Sequence, residues 1–299
     1  MKPSSPEKAL APEISIIPIR FADVHTRPVS PVLGAVVEDV ELAPDMDDAT
    51  VRGIRGALLQ HKVVWFRGQS LDGASLTAVA SRFGTPTEAH PVEPSLEGHP
   101  EVLPLDSQEG ARADVWHSDL TFQECPPLGA ILHALEIPPV GGDTIWADMA
   151  DAYQSLSTPL RGFLDGLTAT HSPTKAGGYF AERDRTGGEA AGRTAVTTTR
   201  HPVIRTHPET GARSLFVNPL FTDKIDGLRR HESDTLLGLL FEAARAPERL
   251  VRWRWEAGDV AFWDNRCTMH YALLDFGTER RRMLRVALEG ERPTGVLSP

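Results

Sequence analysis

From Glu101 onward the apolar residues of this chain come in short runs. "EVLPL", "GAILHALEI", "DTIWADM", "HPVIRTH", "RSLFVNPLF" and "RRMLRVALEG" are rich in β-branched, aromatic and leucine residues, with Gly, Pro, Asp or Asn between them. Runs of this length bounded by turn residues read as strands. A long series of them buries its apolar faces only in layered or closed β-architecture. In "LVRWRWEAGDVAFWDN", Val251, Trp253 and Trp255 alternate with Arg252 and Arg254. That segment therefore has one wet face, and it reads as a hairpin.

Helical periods supplement the strands. "DDATVRGIRGALLQHK" places Val51, Ile54 and Leu58 on one face, and "VVWFRG" after it reads as a buried strand. "SLTAVASRFG" reads as a helix closed by Gly84. "ADAYQSL" and "TPLRGFLDGL" follow the helical period, and so does "SDTLLGLLFEAAR", with Ser233 as N-cap and Leu236, Leu239, Leu240 and Ala243 as its buried stripe. Upstream, "ISIIPI" and "LGAVVEDV" are strand-like. Many short strands with a few packed helices predict a mainly β fold with flanking helices, a β-sandwich or jelly roll. No repeat or linker divides the chain. We expect a frayed tail over residues 1–12 and one domain over 13–299, interrupted by the glycine-rich, charged segment 172–199, which reads equally as a lid or as a plain surface insertion.

The 299 residues carry a net charge of −10, the opposite of the basic surplus that a general nucleic-acid binder shows. No apolar run reaches the length of a membrane span, and "MKPSSPEKALAPEISII" lacks the apolar stretch of a secretory signal. Two cysteines, Cys125 and Cys267, allow one disulfide but no framework. These features lead us to expect a cytoplasmic, reduced protein, and they leave homo-oligomerisation open.

Within this apolar chain "DVWHSDLTF" sets His117 and Asp119 two residues apart. On an extended segment such residues aim the same way. The pair reads either as a mutually satisfied core pair or as two ligands of a metal. His270, in "WDNRCTMHYA", is the best third ligand. Two histidines and a carboxylate on one side of an octahedron form the facial triad of non-heme ferrous oxygenases, although zinc accepts the same donors. Of the remaining histidines, His61, His99 and His231 read as surface residues, His201 and His207 as structural, and His133 as core-edge.

In "ERRRMLRVALEG", alternation sends Arg281, Met283 and Arg285 to one face and Arg280 and Arg282 to the other. Inward guanidiniums need anionic partners. These are either acids of the protein itself or anionic small molecules, which an arginine fork binds bidentately.

Taken together, "WHSDLTF", "GGDTIWADM", "HPVIRTHPETG", "FVNPLFT", "VRWRWEAGDVAFWDNRCTMHYA" and "RRRMLRV" resemble the Fe(II)/2-oxoglutarate-dependent taurine dioxygenase family, in order, from about Ile17 to Glu291. The family also holds alkylsulfatase and phenoxyacetate dioxygenases. The resemblance implies a double-stranded β-helix of the clavaminate-synthase type, with Fe(II) on His117, Asp119 and His270. It implies 2-oxoglutarate as co-substrate with its far carboxylate on Arg281 and Thr144, and O2 as oxidant. It further implies a small, anionic substrate near Arg285 and His90, under a cover formed by 172–199 with Gly177 and Gly178. Asp119 occupies the position that is small in related halogenases, so hydroxylation is expected and halogenation is not. Ala113 replaces an asparagine that taurine dioxygenase uses, which argues against taurine itself. Substrate choice is expected to rest on residues near Val92, on 172–199, and on Phe216 to Phe221. Two other readings of the same residues are a zinc hydrolase, in which Arg281 would be idle, and a non-catalytic small-acid-binding barrel.

Overall fold

The computed structural model describes residues 24–88, 93–110, 113–173 and 198–296. The tail 1–12, "ISIIPI", His90, Val92 and most of 172–199, with Gly177 and Gly178, lie outside the described residues. In chain order the elements are β1 (His25–Pro28), β2 (Ala35–Glu38), α1 (Asp48–His61), β3 (Val63–Phe66), α2 (Gly73–Ser81), β4 (Val102–Asp106), β5 (Gly129–Glu136) and β6 (Thr144–Asp148). Then come α3 (Met149–Ser155), α4 (Thr158–Leu164), β7 (Thr168–His171), β8 (Thr199–Pro202), β9 (Ile204–Thr206), β10 (Arg213–Leu215), β11 (Thr222–Ile225) and α5 (Arg230–Ala244). The chain closes with β12 (Leu250–Trp253), β13 (Val260–Asp264), β14 (Thr268–Ala272), β15 (Arg282–Leu288) and β16 (Thr294–Gly295).

A large sheet in the order β1-β2-β3-β13-β5-β15-β4 forms one layer. Three small sheets, β12-β6-β14, β10-β9-β16 and β11-β7-β8, complete the β-structure among the described residues. Pairing is antiparallel except for β2 with β3. Strand alternation decides what each face of the large sheet meets. Val64, Phe66, Ile131, Phe262, Leu284 and Val286 pack with Ile54 and Leu58 of α1 and Leu76 of α2. Their neighbours Val63, Trp65, Leu132, Ala261, Trp263 and Met283 point the other way, onto Trp146 of β6 and Val251 and Trp253 of β12. The second core lies between two sheets, as in the jelly roll expected, and the candidate site opens from it.

Several local expectations change once tertiary contacts are seen. "LVRWRWEAGDVAFWDN" is not a hairpin: β12 pairs with β6, whereas β13 pairs with β3 and β5. The alternation was read correctly, but the two strands press their apolar faces on one core from opposite layers, which hydrogen-bonding to each other would prevent. "HPVIRTH" divides into β8 and β9, in different sheets, and "RSLFVNPLF" leaves the sheet after Leu215. Helix α2 ends at Ser81 with Arg82 still right-handed, and Gly84 has no left-handed conformation.

Helix α5 starts at Arg230, one turn before the expected cap. Ser233 instead lies buried inside it and accepts the backbone N–H of Ile225 at 2.8 Å, which docks the helix on β11. Its buried residues are Ser233, Leu237, Leu240 and Ala244, and Leu239 is exposed. Helix α1 begins as expected, with Asp47 accepting the Thr50 N–H at 2.7 Å, a cap that contributes about 1 kcal/mol.

Candidate active site

His117 and His270 form an isolated antiparallel bridge, each backbone N–H donating to the other's carbonyl, at 3.0 and 2.7 Å. This pairing sets the two imidazole rings 4.2 Å apart, although 153 residues separate them in the chain. Asp119 reaches them differently from the way an extended segment would carry it. After His117 the chain enters a turn, and Leu120 takes a left-handed conformation with φ of 48° while staying buried. A leucine in that region is strained. A clamp holds it there: Asn265 Oδ1 accepts the Asp119 N–H at 2.7 Å, and Asn265 Nδ2 donates to the carbonyls of Asp119 at 3.1 Å and Pro127 at 3.0 Å.

The result is a cluster of three buried donors, His117, Asp119 and His270, whose ligand atoms lie within 4.8 Å of one another. Asp119 Oδ1 stands 3.8 Å from the Nε2 atoms of both histidines. His117 Nδ1 lies 2.7 Å from the Val115 carbonyl and donates its hydrogen there, which leaves the Nε2 lone pair facing Asp119. The rings are pinned by Trp263, 5.0 Å from His270, and by Phe221, edge-on to His117 at 6.5 Å. Burial lowers the pKa of both histidines, His270 to about 3, with His117 adding to that shift. Burial is the largest influence on the Asp119 carboxyl and works to raise it, but Arg285, His270 and His117 together outweigh it, and the carboxyl sits at about 2. At neutral pH the cluster therefore presents two neutral imidazoles and a carboxylate, the protonation state that a divalent metal requires.

The two arginines of β15 and its approach divide the roles proposed for them. Arg285 takes an inner-face position between Met283 and Ala287, and its Nη2 lies 2.8 Å from Asp119 Oδ2. An internal acid thus claims part of it. Arg281 has no carboxylate within ion-pair distance among the described residues. Its Nε donates to the Gly142 carbonyl at 2.9 Å, and its Nη2 lies 3.4 Å from Thr144 Oγ1. Burial lowers its pKa to about 10, so it stays cationic at neutral pH, and the Asp143 charge opposes that shift. Thr144 Oγ1 also accepts the Trp255 indole N–H at 3.0 Å. With donors already directed at its oxygen, the hydroxyl's own hydrogen is free to donate to an anion held by Arg281.

His117, Asp119, Thr144, His270, Arg281 and Arg285 all line one cavity of about 170 Å³. Its remaining walls are largely apolar and include Leu103, Leu105, Leu220, Phe221, Leu273 and Phe276, with Ala113 also present. Phe216 is not among them; it packs on His171 and His201. His133 is buried, not core-edge, with Nε2 3.3 Å from the Gln69 carbonyl. His61 and His99 are half-buried.

Sequence reasoning missed Asn265 and Trp255, because hydrogen bonds to a ligand's backbone or to a neighbour's hydroxyl leave no spacing signal. It also missed a second group of metal-compatible residues, His207, Asp264 and Cys267. Those donors are already committed: Asp264 accepts from Arg266 Nε and Nη2 at 2.9 and 2.6 Å and from His207 Nε2 at 3.0 Å. His207 Nδ1 accepts the N–H groups of Glu209 and Thr210. This is an ion-pair network that already engages both Asp264 and His207. Cys125 and Cys267 are both free thiols.

Comparison with known proteins points the same way. The sequence profile of the taurine catabolism dioxygenase TauD, TfdA family matches residues 25–287. The chain is 43% identical to an alpha-ketoglutarate-dependent sulfate ester dioxygenase of Pseudomonas putida, across 92% of this chain and 91% of that protein. It is 40% identical to an alkylsulfatase of Acinetobacter baylyi, across 88% and 84% respectively. A crystal structure of a taurine dioxygenase from Burkholderia xenovorans superposes with a TM-score of 0.78 at 40% identity, covering 91% of each chain.

Proposed function

Because this chain belongs to the taurine catabolism dioxygenase TauD, TfdA family and is a dioxygenase dependent on Fe(II), O2 and 2-oxoglutarate (alpha-ketoglutarate), we propose that His117, Asp119 and His270 hold the iron, that Arg281 and Thr144 bind the far carboxylate of 2-oxoglutarate, and that the substrate is a sulfate ester. Family membership displaces both the zinc hydrolase and the non-catalytic barrel. The observation that carries the co-substrate's placement is Arg281, a cation with no carboxylate within ion-pair distance among the described residues, in the same cavity as the two histidines and the carboxylate.

Bound there, the metal and co-substrate supply the oxidation, in which O2 and 2-oxoglutarate yield succinate, CO2 and one oxygen atom delivered to a C–H carbon. The chain's own residues orient and enclose. The Val115 carbonyl fixes the tautomer of His117. Asn265 fixes the Asp119 backbone, and Arg285 occupies Asp119 Oδ2 so that Oδ1 faces the histidines. Leu105, Leu273 and Phe276 supply apolar surface that keeps water from the reacting carbon and suits an alkyl chain. On this reading the sulfate group binds near Arg285, which lines the cavity. Hydroxylation of the carbon that bears the sulfate oxygen gives an unstable product. Its hydroxyl loses a proton to become a carbonyl, the C–O bond to sulfate breaks with its electron pair leaving on sulfate, and an aldehyde remains.

The test is anaerobic addition of Fe(II) and 2-oxoglutarate, followed by oxygen and a medium-chain alkyl sulfate. A weak visible charge-transfer band should appear first, and then succinate and free sulfate in equal amounts. Absence of both band and succinate overturns the site. Succinate formed with alkyl sulfonates or aryloxyacetates, but not with alkyl sulfates, overturns the substrate class.

A further inference from the structure

Two carboxylates hold the turn on which Arg281 packs, and neither lies within ion-pair distance of it. Asp143 sits between Gly142 and Thr144, whose oxygens the Arg281 side chain faces, and its charge acts on the guanidinium. Asp275 holds the same turn from the other side, accepting the Gly142 N–H on Oδ1 at 2.8 Å. Both acids are held by a third residue. Arg252, on the wet face of β12, donates from Nε to Asp143 Oδ2 at 2.6 Å, and its Nη2 lies 3.4 Å from Asp275 Oδ2. Arg252 is half-exposed and Asp143 nearly buried, with side chains 53% and 10% accessible.

A carboxylate on the residue between a guanidinium fork's two contacts is a natural partner for that fork. A co-substrate carboxylate could then bind only by displacing it. We propose that Arg252 is a positioning residue for 2-oxoglutarate: it draws Asp143 and Asp275 to the outer side of the 141–144 turn and so reserves Arg281 for the co-substrate. The turn itself fits this role. Gly142 has φ of 73°, and a Cβ there would lie 3.2 Å from Arg281 Cδ, so Arg281 packs directly on the glycine backbone and receives its carbonyl. Arg252 is not among the residues that line the cavity, so it acts on Arg281 through the acids it holds.

The inference rests on the placement of 2-oxoglutarate at Arg281, and the experiment separates the two. The Fe(II) enzyme is titrated anaerobically with 2-oxoglutarate, reading the chelate's visible band, for wild type and for Arg281→Ala, Arg252→Ala, Asp143→Asn and the double variant Arg252→Ala/Asp143→Asn. Arg252→Ala should loosen 2-oxoglutarate binding by about tenfold, within the range of measured pairwise couplings, and leave Fe(II) affinity and the KM for sulfate ester unchanged. Asp143→Asn alone should bind like wild type. The double variant should return to within about twofold of wild type, since the competing charge is gone. A merely structural role for Arg252 would loosen Fe(II) and sulfate ester along with 2-oxoglutarate, because an unpaired, nearly buried Asp143 would disturb the whole turn. If Arg281→Ala loosens the co-substrate while Arg252→Ala does not, or if the loss in Arg252→Ala persists in the double variant, the inference is overturned and the placement stands. If Arg281→Ala itself leaves binding unchanged, both fall.

Discussion

Asp119 illustrates how much one carboxylate depends on its neighbours. One oxygen faces two imidazoles at 3.8 Å, the other meets Arg285 at 2.8 Å, and its backbone is gripped by Asn265. Arg285→Ala should therefore lower the affinity for Fe(II), or for Mn(II) as a redox-inert probe, by about tenfold, the lower end of the effect of removing a partner behind a metal ligand. A calorimetric titration with Mn(II) that matches wild type would confine Arg285 to the substrate. His201 offers a second residue-scale prediction. Its ring is buried, with Nε2 2.9 Å from the Gln123 carbonyl; burial first, and Arg205 nearby, lower its pKa to about 4. An unfolded histidine titrates near 6.5, so between those values the unfolded chain binds more protons than the folded one, and stability falls as pH drops through the window. The loss should approach about 3 kcal/mol by pH 4. His201→Gln should flatten the pH dependence of urea unfolding over that range; an unaltered curve would rule His201 out as its source.

At the scale of elements, the apolar stripe of α5 was displaced by the docking of Ser233 on β11, which rotates the helix so that Leu240 is buried and Leu239 is 45% exposed. Leu240→Ala should cost about 2–5 kcal/mol and Leu239→Ala well under about 1 kcal/mol, measured by denaturant midpoints. Equal effects would mean that the expected stripe, not the observed one, carries the packing. Period alone placed this helix correctly, since its leucines recur at helical spacing. It did not select the face, because four leucines and two alanines cover more of the circumference than one neighbour can bury. The same limit appears in β12 and β13. Alternation identified both strands and the wet face of Arg252. Which strands they pair with depended on backbone partners more than a hundred residues away, Trp253 opposite Thr144 and Val260 opposite His133.

Across the whole molecule, the sheets and α1 are joined by charges as well as by apolar packing. Asp264, at the end of β13, binds Arg266 and His207; Arg266 reaches Glu209, and Glu209 pairs with Arg55 on α1. Asp264 and Arg266 are almost wholly buried, and these partners hold the Asp264 carboxyl far below the usual range against a burial that would raise it. Asp264→Asn should leave the Arg266 charge uncompensated and destabilise the fold by about 3–5 kcal/mol, while Mn(II) affinity stays near wild type in calorimetry. A large loss of metal affinity with intact stability would make this cluster part of the site instead.

The sequence by itself determined the strand-rich architecture, the His117, Asp119 and His270 cluster, and the two arginines directed at one cavity, because residue type and period are local properties and the family's motifs preserve them. Tertiary structure alone decided that His117 and His270 meet through a backbone bridge, that a left-handed Leu120 and Asn265 aim Asp119, and that Arg285 is engaged by an acid while Arg281 is not. Those outcomes depend on hydrogen bonds and charges contributed by segments far apart in the chain, and only a folded backbone brings such groups within the few ångströms over which they act.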